Sequence, residues 1–181
     1  MHIQEEKYIL NGKEIILRNA RLDEASMLID YLKTVTGETR FLMCEPEEIQ
    51  YTVEQEENFI KEHNDSEDKL LLLAFVDGEY AGNCSFQGRS GSKRAAHRVG
   101  IGIALFQKYT GQGLGKLMLK KLLEEAGKKG YEQAELTVVD GNSRAYRLYE
   151  SVGFEECGRI PRANKYADGS YADDIWMVVK L

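Results

Sequence analysis

Three cysteines, three histidines and two prolines in 181 residues are too few to organise this chain. Cys44, Cys84 and Cys157 are odd in number and widely spaced, which argues against a disulfide framework and suits a reducing compartment. His2, His63 and His97 stand at no metal-ligand spacing from cysteines or carboxylates, so no metal site is expected. No stretch approaches the roughly eighteen apolar residues of a membrane-spanning helix. The opening MHIQEEK lacks the basic start, apolar run and small-residue cleavage site of a secretion signal. A soluble, cytoplasmic protein is the expectation. Positive charge is also short: 24 Lys and Arg against 30 Asp and Glu leave a net charge of −6, which offers little to a phosphate backbone and speaks against nucleic acid as a partner. No proline-rich linker, internal repeat or low-complexity tract marks a boundary, so one domain over 1–181 is expected, and 43% apolar residues can supply its core.

What is present is regular. Asn11-Gly12, a two-residue turn signal, joins residues 8–10 and 14–18 into a short hairpin. Ala25, Leu28, Ile29 and Leu32 recur at helical spacing and predict a helix over 23–35. Residues 36–50, with Gly37, Pro46 and no clean period, predict a loop with at most fragments of helix. Thr52 is placed to cap a helix over 53–62, whose early glutamates suit the helix dipole. The apolar run 70–76, the turn Asp77-Gly78, residues 79–87, a polar loop at 88–93 and residues 97–106 predict three antiparallel strands. Leu114, Leu117, Met118, Leu122 and Ala126 then mark a helix, and a strand over 133–139 reached through it should run parallel to its predecessor. A helix over 142–151 ended by Gly153 precedes a closing hairpin, 154–166 and 171–179. The sum is an α/β chain with a mixed, mostly antiparallel sheet and helices on both faces.

The stretch 101–126, IGIALFQKYTGQGLGKLMLKKLLEEA, carries the chemistry. Branched and aromatic residues over 101–106 predict a buried strand, and the glycines at 111, 113 and 115 let the chain turn and approach a ligand before the helix begins. Free N–H groups at the positive end of that helix suit a phosphate or pyrophosphate. A mononucleotide P-loop fails twice, because Thr110 stands where its first glycine must be and Leu117 where its Ser or Thr must be. A dinucleotide fingerprint fails at Lys116 or at Met118, depending on its first glycine, although Glu135 lies roughly twenty residues on, as a ribose ligand would. The spacing that fits is R/Q-x-x-G-x-G/A, read here as Thr110-Gly111-Gln112-Gly113-Leu114-Gly115 behind the strand residue Leu105.

That loop resembles the acetyl-CoA loop of the GNAT superfamily of acyl-CoA-dependent N-acyltransferases. Downstream, LTVVDGNSRAYRLYESVGF over 136–154 resembles the family's strand followed by N-x-x-A-x-x-L/F-Y-x-x-x-G-F, matched by Asn142, Ala145, Leu148, Tyr149, Gly153 and Phe154. Two motifs in this order make the resemblance specific from about 101 to 154. Thr110 departs from it, since arginine or glutamine is usual there. The resemblance implies a sheet splayed between two central parallel strands, acetyl-CoA as cosubstrate without a metal, and direct attack by an acceptor's primary amine. It places the pyrophosphate on the N–H groups of Gly111, Gln112, Gly113, Leu114, Gly115 and Lys116, with charge from Lys116 and Lys108. The pantetheine arm would pair like an extra strand with Ala104, Leu105 and Phe106, where a backbone N–H polarises the thioester. Asn142 would contact the cofactor besides capping its helix, and Tyr149 would be the general acid to the CoA thiolate, against the plainer reading that it packs with Ala145, Leu148 and Val152. Gly100 and Gly102 read either as a bulge that splays the strand or as close packing of a neighbour.

An alkyl amine is mostly protonated at neutral pH, and removing the proton costs about 4 kcal/mol over three pH units. A general base is therefore expected. Glu79 and Glu135 are the candidates, each readable first as a solvated strand residue. Cys84 and Cys157, with no basic neighbour in sequence, do not read as nucleophiles. Between 45 and 68, ten acidic residues stand against one lysine, Lys61, which reads as a solvated face or as a field steering a cationic acceptor past Glu45, Glu47 and Glu48. The acceptor is a small-molecule or protein amine. A CoA-binding sensor without turnover is the alternative on the same fold, and the closing hairpin is the candidate face for a homodimer.

Overall fold

The computed structural model describes residues 1–89 and 91–181; Ser90, within the expected loop at 88–93, lies outside the described residues. A hairpin of β1 (Glu6–Leu10) and β2 (Lys13–Asn19) turns at Asn11 and Gly12, whose φ values of 53° and 78° are those the Asn-Gly signal demands. A single turn at Leu22–Glu24 leads into α1 (Ala25–Glu38), which runs past the expected end through Thr36 and Gly37. Between Thr39 and Gln50 the only helical fragment among the described residues is the turn Pro46–Glu48. Thr52 caps α2 (Val53–Asp65) by accepting from the Gln55 N–H at 3.2 Å, while the Gln55 side chain accepts from the Thr52 N–H at 2.8 Å. Then follow β3 (Lys69–Val76), β4 (Glu79–Gly88), β5 (Arg98–Leu105), α3 (Leu114–Lys128), β6 (Gln133–Val139), α4 (Ser143–Glu150), β7 (Glu155–Lys165) and β8 (Tyr171–Lys180).

One sheet joins the eight strands in the order β1-β2-β3-β4-β5-β6-β8-β7, antiparallel throughout except at β5–β6. Its larger core lies on the face of α3 and α4, where Leu72, Phe86, Val99, Ala134 and Met177 meet Leu114, Met118, Leu122 and Tyr149. On the other face Leu71 and Leu73 of β3 pack under Ala25 and Leu28 of α1 and Ile60 of α2.

The parallel pair holds over three residues, Arg98↔Gln133, Val99↔Ala134 and Gly100↔Glu135. Past Gly100 the strands part: β5 stays with β4 as far as Gly82↔Leu105, and β6 stays with β8 as far as Val139↔Asp174. Neither expectation for Gly100 and Gly102 holds. The β4–β5 register is unbroken across them, and a Cβ there would meet nothing nearer than 3.8 Å and 4.0 Å, so they mark neither a bulge nor a tight contact. The irregularity lies one strand away, where the β3–β4 register shifts between Ala74 and Phe75. There Gly82, at φ 143°, leans so close to β5 that a Cβ would collide with the Ala104 carbonyl oxygen and lie 2.7 Å from Leu105 Cα. The expected burial of 101–106 is also incomplete: Ile101, Ile103, Leu105 and Phe106 are half-buried and Gly102 is exposed, because β6 no longer flanks them.

Gly82→Ala should lower stability by at least about 2 kcal/mol, through backbone collision and an unfavourable φ. Gly102→Ala, with open space around it, should change it by less than about 0.5 kcal/mol. Urea unfolding of the two variants checks the contrast, and equal losses would refute the close approach at Gly82.

Candidate active site

The glycine loop is fixed from three sides. Gly111 and Gly113 take φ values of 74° and 89° that favour glycine, and Gly113 opens α3. The Asn11 side-chain amide, at the tip of the β1–β2 hairpin, donates to the Gln112 carbonyl at 3.0 Å, and the Gln112 amide folds back to the Lys108 carbonyl at 2.7 Å. Gly115 is small for packing: a Cβ there would stand 3.0 Å from Leu148 Cδ2 of α4 and 3.6 Å from Leu105 Cδ1. The first intrahelical bond is Leu117 N–H to Gly113 O, 3.1 Å. The N–H groups of Leu114, Gly115 and Lys116 therefore lack acceptors within the helix and gather at its positive end, where an anion is stabilised. Lys116 is exposed beside them. Lys108 is engaged elsewhere, in an ion pair with Glu79 at 2.9 Å.

At the end of β5 the backbone points two ways. Phe106 N–H donates to Ala81 O at 3.0 Å, so Phe106 and, by strand alternation, Ala104 turn their polar groups toward β4. Ile103 and Leu105 turn theirs the other way, into the gap left by β6. The Ala104 carbonyl also accepts from the Tyr31 hydroxyl at 2.7 Å. Tyr31 is buried with its ring edge-on to Tyr80 and Phe106, at 5.1 and 5.0 Å. The helical pattern could have named it, since it lies three residues from Leu28 on the inward face.

Across the gap, α4 brings its motif residues to the loop. Asn142 caps α4 by accepting from Ala145 N–H at 3.2 Å. Arg144 donates to the Thr110 hydroxyl at 2.8 Å, so a guanidinium from α4 stands beside the position where the loop lacks one of its own. Tyr149 is 7% exposed, edge-on to Phe154 with centroids 5.9 Å apart. Burial pushes its hydroxyl up to about 12, so it stays protonated. The Tyr149 hydroxyl has no hydrogen-bond partner among the described residues.

Both expected bases are paired with cations, Glu79 as an exposed strand carboxylate and Glu135 as a buried one. Glu79 accepts from Lys108 and Tyr109, which hold its carboxyl below the usual range. Glu135 is 2% exposed; burial raises its carboxyl, but Arg98 and Arg89 together outweigh that and keep it ionised, with Arg98 Nη2 at 2.5 Å and Arg89 Nε on the other oxygen. Glu135, His63, Gly100, Gly102, Thr137 and Trp176 line part of a cavity of about 850 Å³ on the sheet face away from α3. None of the ten acidic residues between 45 and 68 is among its lining residues. A different carboxylate stands out. Glu56 is 6% exposed on the inward face of α2 with Ile60 and His63, has no ionic partner among the described residues, and has its carboxyl raised by burial; its charge acts on Tyr80. Its spacing of four from Ile60 is the signal that the acidic surroundings conceal. The Cys84 thiol is buried and pushed up, as befits a packing residue. Among the described residues no cluster of His, Cys, Asp and Glu could hold a metal, and no helix is long and apolar enough to cross a membrane.

Comparison with known proteins gives one picture. Residues 36–154 match the model of the Acetyltransferase (GNAT) family. An N-alpha-acetyltransferase of Sulfurisphaera tokodaii is 31% identical over 170 residues, 89% of this chain and 91% of that protein. The thialysine N-epsilon-acetyltransferase of Bos taurus is 43% identical over 49 residues, 27% of this chain, and the match spans only 29% of that protein's length. The crystal structure of a GNAT-family acetyltransferase from Streptococcus pneumoniae aligns with a TM-score of 0.87 at 29% identity, over 92% of this chain and 99% of that one.

A group whose folded pKa is raised adds stability while protonated and loses it as pH rises through that pKa. Glu56→Gln should therefore match the wild type in acid and exceed it increasingly toward neutral pH. Melting temperatures of both between about pH 4 and 8 check this, and a constant difference would mean that Glu56 is solvated.

Proposed function

Because the chain belongs to the GNAT acetyltransferase family, we propose that it transfers an acetyl group from acetyl-CoA to a primary amine by direct attack. The observation that carries the reading is the unpaired inner edge of β5, opening beside the glycine-loop end of α3. A pantetheine arm is peptide-like and can add to such an edge as a strand, along Ala104, Leu105 and Phe106. A pyrophosphate fits the gathered N–H groups of Gly111 to Lys116. Arg144 would supply the side-chain charge that Thr110 does not, and Asn142 would add a contact from the α4 cap.

The residues then divide the work. An N–H of the free β5 edge stabilises the oxyanion that forms as the amine attacks, a contribution of roughly 3 kcal/mol for one preorganised donor. Tyr149, protonated and without a competing partner, donates to the departing thiolate. The proton that the amine must shed would pass through water to Glu56, which lies outside the cavity lining and whose carboxyl burial raises, while Glu79 and Glu135 are occupied by cations. The acceptor is a primary amine on a small molecule or a protein. The closing hairpin of β7 and β8 is the face through which a homodimer would form.

Calorimetric titration with acetyl-CoA, with ATP and NAD as controls, tests the reading. Saturable binding of acetyl-CoA alone is expected near micromolar affinity, about −8 kcal/mol. Arg144→Ala should weaken it about tenfold, the worth of one charge-assisted hydrogen bond. Tyr149→Phe should leave the affinity intact and lower turnover about a hundredfold; a CoA sensor would show binding with no turnover to lose. Binding of ATP or NAD in place of acetyl-CoA would overturn the assignment of the glycine loop.

A further inference from the structure

The cavity beyond the free edge of β5 carries a charge pattern that bears on the acceptor. It lies on the sheet face opposite α3, floored by Gly100 and Gly102, which contribute no side chains, and walled by Arg89, Glu135, Thr137 and Trp176. Glu135 is the sole carboxylate among the lining residues described, and both its oxygens are taken, one by Arg89 Nε and the other by Arg98. Two guanidinium groups thus share one buried carboxylate, and the wall is left with a net positive charge. Arg89 uses only Nε in this pairing. Its two terminal nitrogens have no partner among the described residues, and its side chain is 45% exposed. Glu135 fixes the guanidinium plane by that bond, which preorganises the free edge as a two-pronged donor. His63, the other ionisable group on the lining, is kept toward its neutral form chiefly by burial and adds no compensating negative charge.

We infer that Arg89, braced by Glu135, binds a carboxylate carried by the acceptor itself, so that the acceptor is an amine with an anionic group rather than a polycation. This rests on the acyl-transfer reading above. The acetyl group would be delivered along the unpaired part of β5, which begins just past Gly100 and runs toward Phe106. Gly100 sits opposite Glu135 and hence beside Arg89. An acceptor whose amine reaches that edge while its carboxylate reaches Arg89 carries the two groups at opposite ends, as in an ω-amino acid or in a peptide amino terminus with an acidic side chain near it. The acidic run at 45–68, which would favour a cation, stays outside the cavity lining.

Matched acceptor pairs differing only in the carboxylate test the inference: lysine against cadaverine, and a peptide amide with glutamate at its third position against the glutamine counterpart. The CoA released is followed with a thiol reagent in wild type, Arg89→Gln and Arg89→Lys. The anionic member of at least one pair should have the higher kcat/KM, by about tenfold or more and mainly through KM. Which pair responds distinguishes a free amino acid from a peptide. In Arg89→Gln the ratio should fall to near one with acetyl-CoA affinity unchanged, and Arg89→Lys should restore part of it. The wild-type ratios stand on their own should a variant fold poorly. Parity or preference for the uncharged or cationic member in wild type, or a preference that survives Arg89→Gln, overturns the inference. Transfer to no member while acetyl-CoA still binds overturns the acceptor assignment and leaves the cofactor reading standing; failure to bind acetyl-CoA removes the reading on which it rests.

Discussion

The parting of β5 from β6 after three residue pairs is the constraint on which the rest of the molecule depends. A strand inside a sheet ordinarily has both edges paired, and leaving the polar groups of Ile103 and Leu105 without a neighbouring strand is a cost that a fold does not carry idly. The molecule sustains it by holding each strand firmly from its outer side. β4 keeps register with β5 to the end of the strand, aided by the close approach at Gly82, and the Tyr31 hydroxyl donates a further bond to the Ala104 carbonyl. On the other side β8 holds β6 along its whole length. The gap is thus stiff, framed by two intact ladders, and the half-buried apolar side chains of 101–106 are surface that a ligand would cover.

Electrostatics separates the two ends of this gap. Beside α3, unbonded helix N–H groups and Arg144 gather positive potential. On the opposite face of the sheet, Glu135 is ionised only because two arginines surround it, and Glu56, which has none, is raised instead. Two carboxylates of one sheet-and-helix face are thus driven in opposite directions, one by its paired cations and the other by burial alone.

Most of the fold was legible from the sequence because its turns and caps announce themselves chemically. Asn11-Gly12, Asp77-Gly78, Thr52 and Gly153 each fix a local geometry that tertiary packing did not need to override. The glycine loop and the Asn142 to Phe154 motif likewise carry their spacing on the surface of the sequence. What could not be read depends on pairings between distant residues. Glu135 looks like any strand glutamate until Arg89 and Arg98 are folded against it. Glu56 is hidden in a run of acidic residues, in which its spacing from Ile60 is the one faint mark of its burial. Gly100 and Gly102 invited a local explanation for a parting that arises from the loyalty of β6 to β8, a property of the other strand.

The bond from Asn11 to the Gln112 carbonyl joins residues 101 positions apart. The loop beside α3 is therefore tethered from the far edge of the sheet, so that a change in the β1–β2 hairpin, remote in sequence from the glycines, reaches the Gly111–Gly113 turn through one hydrogen bond.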